Sequence, residues 1–188
     1  SRLGRAGAGV DAVAALLRAK RPVLWAGAGV LRSRGTQALK ELAELTGIPV
    51  FCTMPGKSAF DERHPLSLGS GSGSTTLPAH RFLTSADCIV ALGSSLTQTP
   101  YAQPIPATAT LIHNTDNADE INKDERADYA LVGDTRLTIE LILDELKSAR
   151  GEAHADASKV VSEIATARDE WMEEWRPRLT SDASPLSP

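Results

Sequence analysis

The chain has 188 residues, of which 41% are hydrophobic, and this is enough for one compact domain with appendages but cramped for two. Its 20 Lys and Arg residues and 24 Asp and Glu residues give a formal net charge of −4. This balance excludes a broad basic face and argues against nucleic acid as the main partner, so a small soluble ligand fits better. Aromatic residues make up only 4%, which indicates a core of Ala, Val, Leu and Ile, as is typical of helices alternating with parallel strands.

The two cysteines, Cys52 and Cys88, lie in separate apolar runs with no second Cys or His at metal-ligand spacing. We interpret both as buried thiols and predict no metal site. No apolar run approaches the ~20 residues needed to span a bilayer, and the first residues lack the hydrophobic stretch of a secretory signal. These patterns predict a soluble cytoplasmic protein without a membrane partner. Because the chain begins without Met and ends in a Ser/Pro-rich stretch, we expect it to be a piece of a longer polypeptide, which we call the parent.

The first half of the chain has the pattern of a lead-in helix followed by one β-α-β unit. The predicted elements are a helix over 10–19, a strand over 22–26 ending in Gly27-Ala28-Gly29, a helix over 36–46 closed by Gly47, and a strand over 48–53. The unit takes about 30 residues, the size expected for a right-handed parallel crossover.

The second half begins with a predicted irregular loop over 54–74, which contains the Gly/Ser run 69–74 and is long enough to be functional or mobile. The elements predicted after it are a helix over 75–85, strands over 87–92, 110–114 and 129–132, a loop over 94–107, and a helix over 135–148. In that last helix we expect Leu137, Ile139, Leu141, Ile142 and Leu146 to face the core.

The composition changes after Arg150. A polar connector over 151–158, a helix over 159–175 and a coil over 180–188 read as an interdomain linker. Trp171 and Trp175 fall on one face of that helix, which we expect to dock weakly. The predicted divisions are a lead-in segment (1–20), a central domain (21–150) and a linker toward a following domain (151–188).

This order of elements predicts a three-layer α/β/α fold with a Rossmann-like parallel sheet of five or six strands. Ligands of such sheets bind at the carboxyl ends of the strands, where glycines let a phosphate approach the backbone and an Asp can accept ribose hydroxyls. The pattern therefore predicts a nucleotide site, whose candidate residues are Gly27, Gly29, Gly93, Ser94, Asp116, Gly133 and Asp134. We expect the phosphates over the first glycines and Gly93, with the ribose or base near Asp116. The alternative is that these glycines only form tight turns.

Two features weigh against a more specific interpretation. Arg32 stands where the third glycine of the dinucleotide-binding fingerprint belongs, so that match is partial. His64 lies in the long loop, and we interpret it as a surface or hydrogen-bonding residue. We predict no catalytic residue in this chain.

Several segments keep a specific order and spacing between about residues 10 and 150. They are Arg21 to Gly29, Leu39 to Val50, Gly56-Lys57, His64 to Gly69, Ala86 to Gly93, Ile112 to Lys123, and Val132 to Asp134. Together they resemble the central domain of thiamine-diphosphate-dependent enzymes of the acetolactate synthase and related decarboxylase type. The Trp-containing tail resembles the connector that enters the diphosphate-binding domain of that family.

The resemblance implies that this domain is non-catalytic and that the parent binds thiamine diphosphate and magnesium in its flanking domains. It further implies a transferase or lyase acting on 2-oxo acids or related acyl substrates, and a homo-oligomeric parent, a dimer or tetramer. Some relatives hold ADP or FAD in this domain and others leave the site empty. Flavin users tend to carry an Arg just after the third-strand glycine, where this chain has Ser94-Ser95, so the resemblance favours ADP over FAD.

Two alternatives stay open at this point. One is an independent nucleotide-binding protein or enzyme on the same fold, such as a sirtuin-type deacylase, although two isolated cysteines cannot build that family's paired zinc motifs. The other is a purely structural spacer domain, which the strand-end glycines do not distinguish from a nucleotide-binding module.

Overall fold

A computed structural model describes residues 2–180 and residue 182. Its centre is one six-stranded parallel sheet with the strand order β3-β2-β1-β4-β5-β6. The strands are β1 (Pro22–Ala26), β2 (Val50–Thr53), β3 (Ser67–Gly71), β4 (Cys88–Leu92), β5 (Thr110–Thr115) and β6 (Tyr129–Val132). This order places β1 and β4 in the middle of the sheet and makes their junction the point where the strand order reverses.

Helices cover both faces of the sheet. They are α1 (Arg2–Arg18), α2 (Ala28–Arg32), α3 (Thr36–Thr46), α4 (Leu77–Thr84), α5 (Thr135–Arg150) and α6 (Ser158–Leu179), with short 3-10 turns at Met54–Gly56 and Ala118–Glu120. Side chains of α1, α2, α3 and α5 pack in one core layer, and those of α4 and α6 pack in the other. The predicted three-layer α/β/α fold is confirmed.

Local sequence explains most of these elements. The middle strands β1 and β4 are continuous apolar runs because both of their faces are covered, and all five residues of β4 are buried. Helix α3 ends at Gly47, which has a left-handed φ of 69° and donates its backbone N–H to Ala43 O. Helix α5 begins at Asp134, whose carboxylate accepts the backbone N–H of Leu137 at 3.0 Å.

The structure corrects the prediction of a loop over 54–74, because β3 lies inside it. The strand sequence Ser-Leu-Gly-Ser-Gly carries almost no apolar signal, and its extended form depends on pairing with β2 at the edge of the sheet. Gly69 also has a φ of +85°, which lies outside the usual range for a strand, so the segment is an irregular strand. Leu137 is a second correction: it is 57% exposed on α5, whereas Leu143, which the prediction left out, is buried.

Helix α6 packs more closely than the sequence predicts. Ile164 packs in the core layer of α4, Ala167 is also fully buried, and Arg168 donates to the backbone carbonyl of Ser67 at 3.0 Å. Arg21 pairs with Glu163 at 2.7 Å, and its guanidinium holds the pKa of that carboxyl below the usual range. Both partners are more than a third exposed, so the ion pair contributes at most about 1 kcal/mol and apolar packing supplies most of the docking energy.

The end of α6 carries the two tryptophans that the sequence places on one face. Trp171 and Trp175 are half-buried, and their ring centroids lie 6.4 Å apart. The coil predicted over 180–188 lies outside the described residues, apart from Thr180 and Asp182. None of the helices in residues 2–180 is long and apolar enough to cross a membrane.

Candidate functional site

A cavity of about 450 Å³ opens at the carboxyl edge of the sheet. Gly27 lies on one side of it, directly after β1, and Gly93 and Ser94 lie on the other side, directly after β4. The turns after β2 and β3 and the loop over 94–107 complete the wall. The cavity therefore lies at the reversal of strand order, where sheets of this topology bind ligands, and we call it the switch-point cavity.

The switch-point cavity is lined by both buried and exposed side chains. Trp25, Leu96, Gln103 and Thr115 are each less than a tenth exposed. Arg32, Met54 and Tyr101 are exposed. Among the described residues that line it, Arg32 is the single cation and Glu120 the single anion.

The structure brings together only part of the predicted site. Gly27, Gly93 and Ser94 line the switch-point cavity. Asp116 is exposed beside it, with its Oδ1 atom 3.9 Å from a guanidinium nitrogen of Arg32. Gly29 is buried in α2 and is not among the residues that line the cavity.

The other two predicted residues lie elsewhere. Gly133 and Asp134 line a separate cavity of about 310 Å³ between α1, β6 and α5, together with apolar side chains such as Leu137 and Leu141. Asp134 acts as the N-cap of α5. These two residues therefore belong to the turn that begins α5 and do not line the switch-point cavity.

Gly29 and Gly93 allow the loops after β1 and β4 to touch backbone to backbone. A Cβ atom on Gly29 would lie 2.5 Å from Gly93 Cα and 2.9 Å from the hydroxyl of Thr135. Gly93 also has a φ of +61°, in the left-handed region that favours glycine. Both glycines are required by packing, whatever the cavity binds.

The backbone N–H groups of the three glycines in these turns are used within the protein. Gly27 donates to Leu92 O at 2.9 Å, and Gly29 donates to Gly93 O at 2.8 Å. Gly93 donates to both the backbone carbonyl and the side-chain carbonyl of Asn114, at 3.0 and 3.1 Å. An anion in the cavity would therefore need donors other than these amides.

Asn114 is the structural residue that sequence reasoning missed. It is fully buried, and its amide nitrogen lies within 2.8–3.1 Å of Leu131 O, Gly133 O and the hydroxyl of Thr138. It joins the end of β4 to β6 and to α5. The sequence does contain a signal for this role, because a buried Asn in an otherwise apolar strand requires hydrogen-bond partners for its side-chain amide.

Three buried polar atoms have no hydrogen-bond partner in the described part of the chain: the indole N–H of Trp25, the hydroxyl of Thr75 and Nδ1 of His113. An unpaired buried polar group costs about 1–3 kcal/mol, so such groups are rare and need an explanation. His113 itself is fully buried, its Nε2 lies 2.7 Å from the carbonyl oxygen of Ser94, and burial lowers its pKa, so the ring is neutral near pH 7. This hydrogen bond holds Ser94 in place in the wall of the cavity.

His64 lies away from the switch-point cavity. Its Nε2 atom is 3.3 Å from a carboxylate oxygen of Glu44, and its Nδ1 accepts the backbone N–H of Leu66 at 3.1 Å. This agrees with its interpretation as a hydrogen-bonding residue.

The cysteines are free and buried, as predicted. Burial raises the pKa of Cys52 to about 11 and that of Cys88 to about 12, so both are inert thiols near neutral pH. Within residues 2–180, no group of three or more His, Cys, Asp and Glu side chains is placed to hold a metal ion.

Comparison with known proteins identifies the domain. Residues 10–142 match the family described as the central domain of thiamine pyrophosphate enzymes. The chain belongs to this family. The family resemblance stated from the sequence is thereby confirmed.

Similar curated proteins are acetolactate synthases. The chain is 34% identical over 139 residues to the acetolactate synthase of Mycobacterium bovis, a match that covers 73% of this chain and 22% of the relative. It is 34% identical over 137 residues to a probable acetolactate synthase large subunit of Methanococcus aeolicus, covering 72% and 23%. It is 32% identical over 172 residues to the acetolactate synthase isozyme 3 large subunit of Escherichia coli, covering 89% and 28%. This central domain thus spans about a quarter of the length of these relatives.

We predict that Gly29→Ala destabilises the domain by about 3 kcal/mol, because the new methyl group would overlap the backbone of Gly93. Gly7→Ala is the matched control: Gly7 is also helical, and a Cβ atom there meets nothing within 4 Å. Since Ala is the better helix former, the control should unfold at the same urea concentration as the wild type or a higher one. Equal midpoints for Gly29→Ala and the wild type would show that the two loops are not in contact.

Proposed function

We propose that this central domain belongs to a multi-domain, thiamine-diphosphate-dependent transferase or lyase that acts on 2-oxo acids or related acyl substrates. The observation that carries the proposal is the family match over 10–142 together with relatives named acetolactate synthase. Because this chain matches only about a quarter of those relatives, the reaction is assigned to the parent. Within the parent the domain is non-catalytic and structural.

The residues of this domain do not fit thiamine diphosphate itself. Magnesium diphosphate is usually held by one or two protein carboxylates, and the single carboxylate among the described residues that line the switch-point cavity, Glu120, already accepts a hydrogen bond from the hydroxyl of Thr115. We therefore derive no step through the cofactor in this chain. In the proposal, other domains of the parent hold thiamine diphosphate and magnesium, and residues 151–188 form the linker toward one of them.

Partners of the domain are, in this proposal, the other domains of the parent and a second copy of it in a homo-oligomer. Support comes from apolar side chains that the domain leaves exposed. Val10 and Leu17 on α1 are 48% and 45% exposed, and Leu137 on α5 is 57% exposed. Apolar residues in such positions are suited to contacts between domains.

The parent assignment predicts that the full polypeptide consumes a 2-oxo acid only when thiamine diphosphate and magnesium are both added. The 188-residue chain alone should show no turnover under the same conditions, since it is proposed to carry no catalytic residue. Steady-state assays over a panel of 2-oxo acids test this. Turnover by the parent without thiamine diphosphate, or by the isolated chain, would overturn the assignment.

We also propose that the switch-point cavity binds a nucleotide, ADP rather than FAD. Its position and its volume of about 450 Å³ suit a small molecule, and that volume lies in the lower half of the usual range of 300–1,000 Å³. FAD contains a whole AMP unit plus the flavin part and is much larger than ADP. The mixed wall of polar and apolar residues suits a base, a sugar and a phosphate group.

For this site, we expect calorimetric titration of the folded chain with ADP to give heat that saturates at one equivalent. The same titration with FAD should give weaker binding, and the purified protein should be colourless. Absence of heat with either ligand would leave the spacer function as the explanation of the domain. Tighter binding of FAD than of ADP would reverse the choice of ligand.

A further inference from the structure

We infer that two copies of this chain pair through the outer edge of β6, antiparallel and around a two-fold axis at Ala130, so that two six-stranded sheets join into one continuous sheet. The partner at this edge is thus a second copy of the chain. This inference rests on the homo-oligomer of the proposed function and names the surface that forms it. It does not depend on the reaction assigned to the parent.

The two edges of the sheet differ in how well they are protected. An unpaired edge strand offers free backbone N–H and C=O groups to another strand, so proteins usually cover it, charge it or make it irregular. Edge strand β3 is irregular, with a register shift against β2 and a φ of +85° at Gly69. Its carbonyl groups at Ser67 and Leu68 already accept hydrogen bonds from side chains in α6 and before α4. Strand β3 is therefore a poor template for another strand.

Edge strand β6 is open by comparison. Its sequence Tyr-Ala-Leu-Val contains no charge, proline or glycine, and Ala130 is exposed. Gly133 donates its backbone N–H to Thr115 O on β5. Because the backbone groups of a strand alternate in direction, those of Ala130 and Val132 face away from the sheet. Among the described residues, no side chain donates to or accepts from these outward groups.

An apolar opening lies along the same edge. The cavity of about 310 Å³ between α1, β6 and α5 has Ala130 and Val132 in its wall, together with Leu137, which is 57% exposed. The helices α1 and α5 therefore leave this part of β6 uncovered. A second copy paired at Ala130 would cover the opening, so apolar burial would add to the backbone hydrogen bonds.

The charges at the two ends of β6 favour a second copy in the antiparallel direction. Arg126 lies before the strand and Asp134 after it, and both side chains are exposed. When two copies run antiparallel around Ala130, Arg126 of one copy is opposite Asp134 of the other, because both are four residues from the axis. The two-fold symmetry forms this ion pair twice. An axis at Leu131 would instead place Asp128 opposite Asp134, which is unfavourable.

Sedimentation of the wild-type chain tests the pairing. We expect a species of about 40 kDa, twice the 20.0 kDa of one chain, that dissociates on dilution. Ala130→Pro should weaken the dimer about tenfold or more, because it removes one outward N–H donor from each copy. Proline is tolerated at an edge position whose N–H faces outward, so the sheet itself should remain folded. Ala130→Ser keeps the N–H group and is the matched control, which should dimerise like the wild type.

Charge substitutions test the register. Arg126→Glu should weaken the dimer about tenfold, because two attractive pairs become repulsive. Asp134→Asn keeps a side-chain oxygen to cap α5 but removes the charge, so it should weaken the dimer when made alone. Combined with Arg126→Glu, the same Asp134→Asn change should strengthen the dimer, because it relieves the repulsion. Lys123→Glu makes the same charge change at an exposed position of the preceding loop and should have no effect.

Amide exchange of the wild-type chain gives a test that needs no substitution. The Ala130 N–H group faces outward in the single copy, so its hydrogen exchange should slow as the chain concentration is raised through the dimer dissociation constant. Exchange that is equally fast at all concentrations would contradict the pairing.

The outcomes distinguish this inference from the proposed function. A dimer that Ala130→Pro and Ala130→Ser weaken equally would overturn the β6 interface while the homo-oligomer stands. A wild-type chain that stays at 20.0 kDa at every concentration would overturn it too. Slow exchange of Ala130 in the parent alone would assign this edge to another domain of the parent and so overturn the second copy as its partner. The reaction of the parent is tested separately, by turnover.

Discussion

The close contact between the loops after β1 and β4 is the constraint on which the rest of this structure depends. Gly29 and Gly93 meet without side chains, and the hydroxyl of Thr135 at the start of α5 closes the contact from a third side. At this contact α2 begins directly after β1, and β4 pairs with β1 along its whole length. The contact therefore sets how closely the two loops approach each other and forms one side of the cavity.

The same contact changes how the cavity can recognise a ligand. Strand-end glycines in α/β sheets usually offer free amides to phosphates, but here Gly29 donates to Gly93 and Gly93 donates to Asn114. A ligand in the cavity would therefore need other donors, and Arg32 is the single cation among the described residues that line it. In the proposal, a nucleotide bound here would be a structural or regulatory group of the parent.

The sequence predicts the parts of the fold that local patterns determine. The apolar runs of β1 and β4 and the left-handed Gly47 after α3 follow from the residues themselves. Strand β3 does not, because a Gly/Ser segment becomes a strand only through pairing with β2. For the candidate site, the sequence finds strand ends but not which of them share a cavity, and so it groups Gly133 with Gly27 although the two lie beside different cavities. From the sequence, Trp25 is only an apolar strand residue, because its unpaired indole N–H is visible only in three dimensions.

A crystal structure of the 188-residue chain grown with ADP tests the central claim most directly. The account predicts density for one nucleotide in the switch-point cavity, between the turns after β1 and β4. Nucleotide density in the cavity between α1, β6 and α5, or in neither cavity, would contradict it.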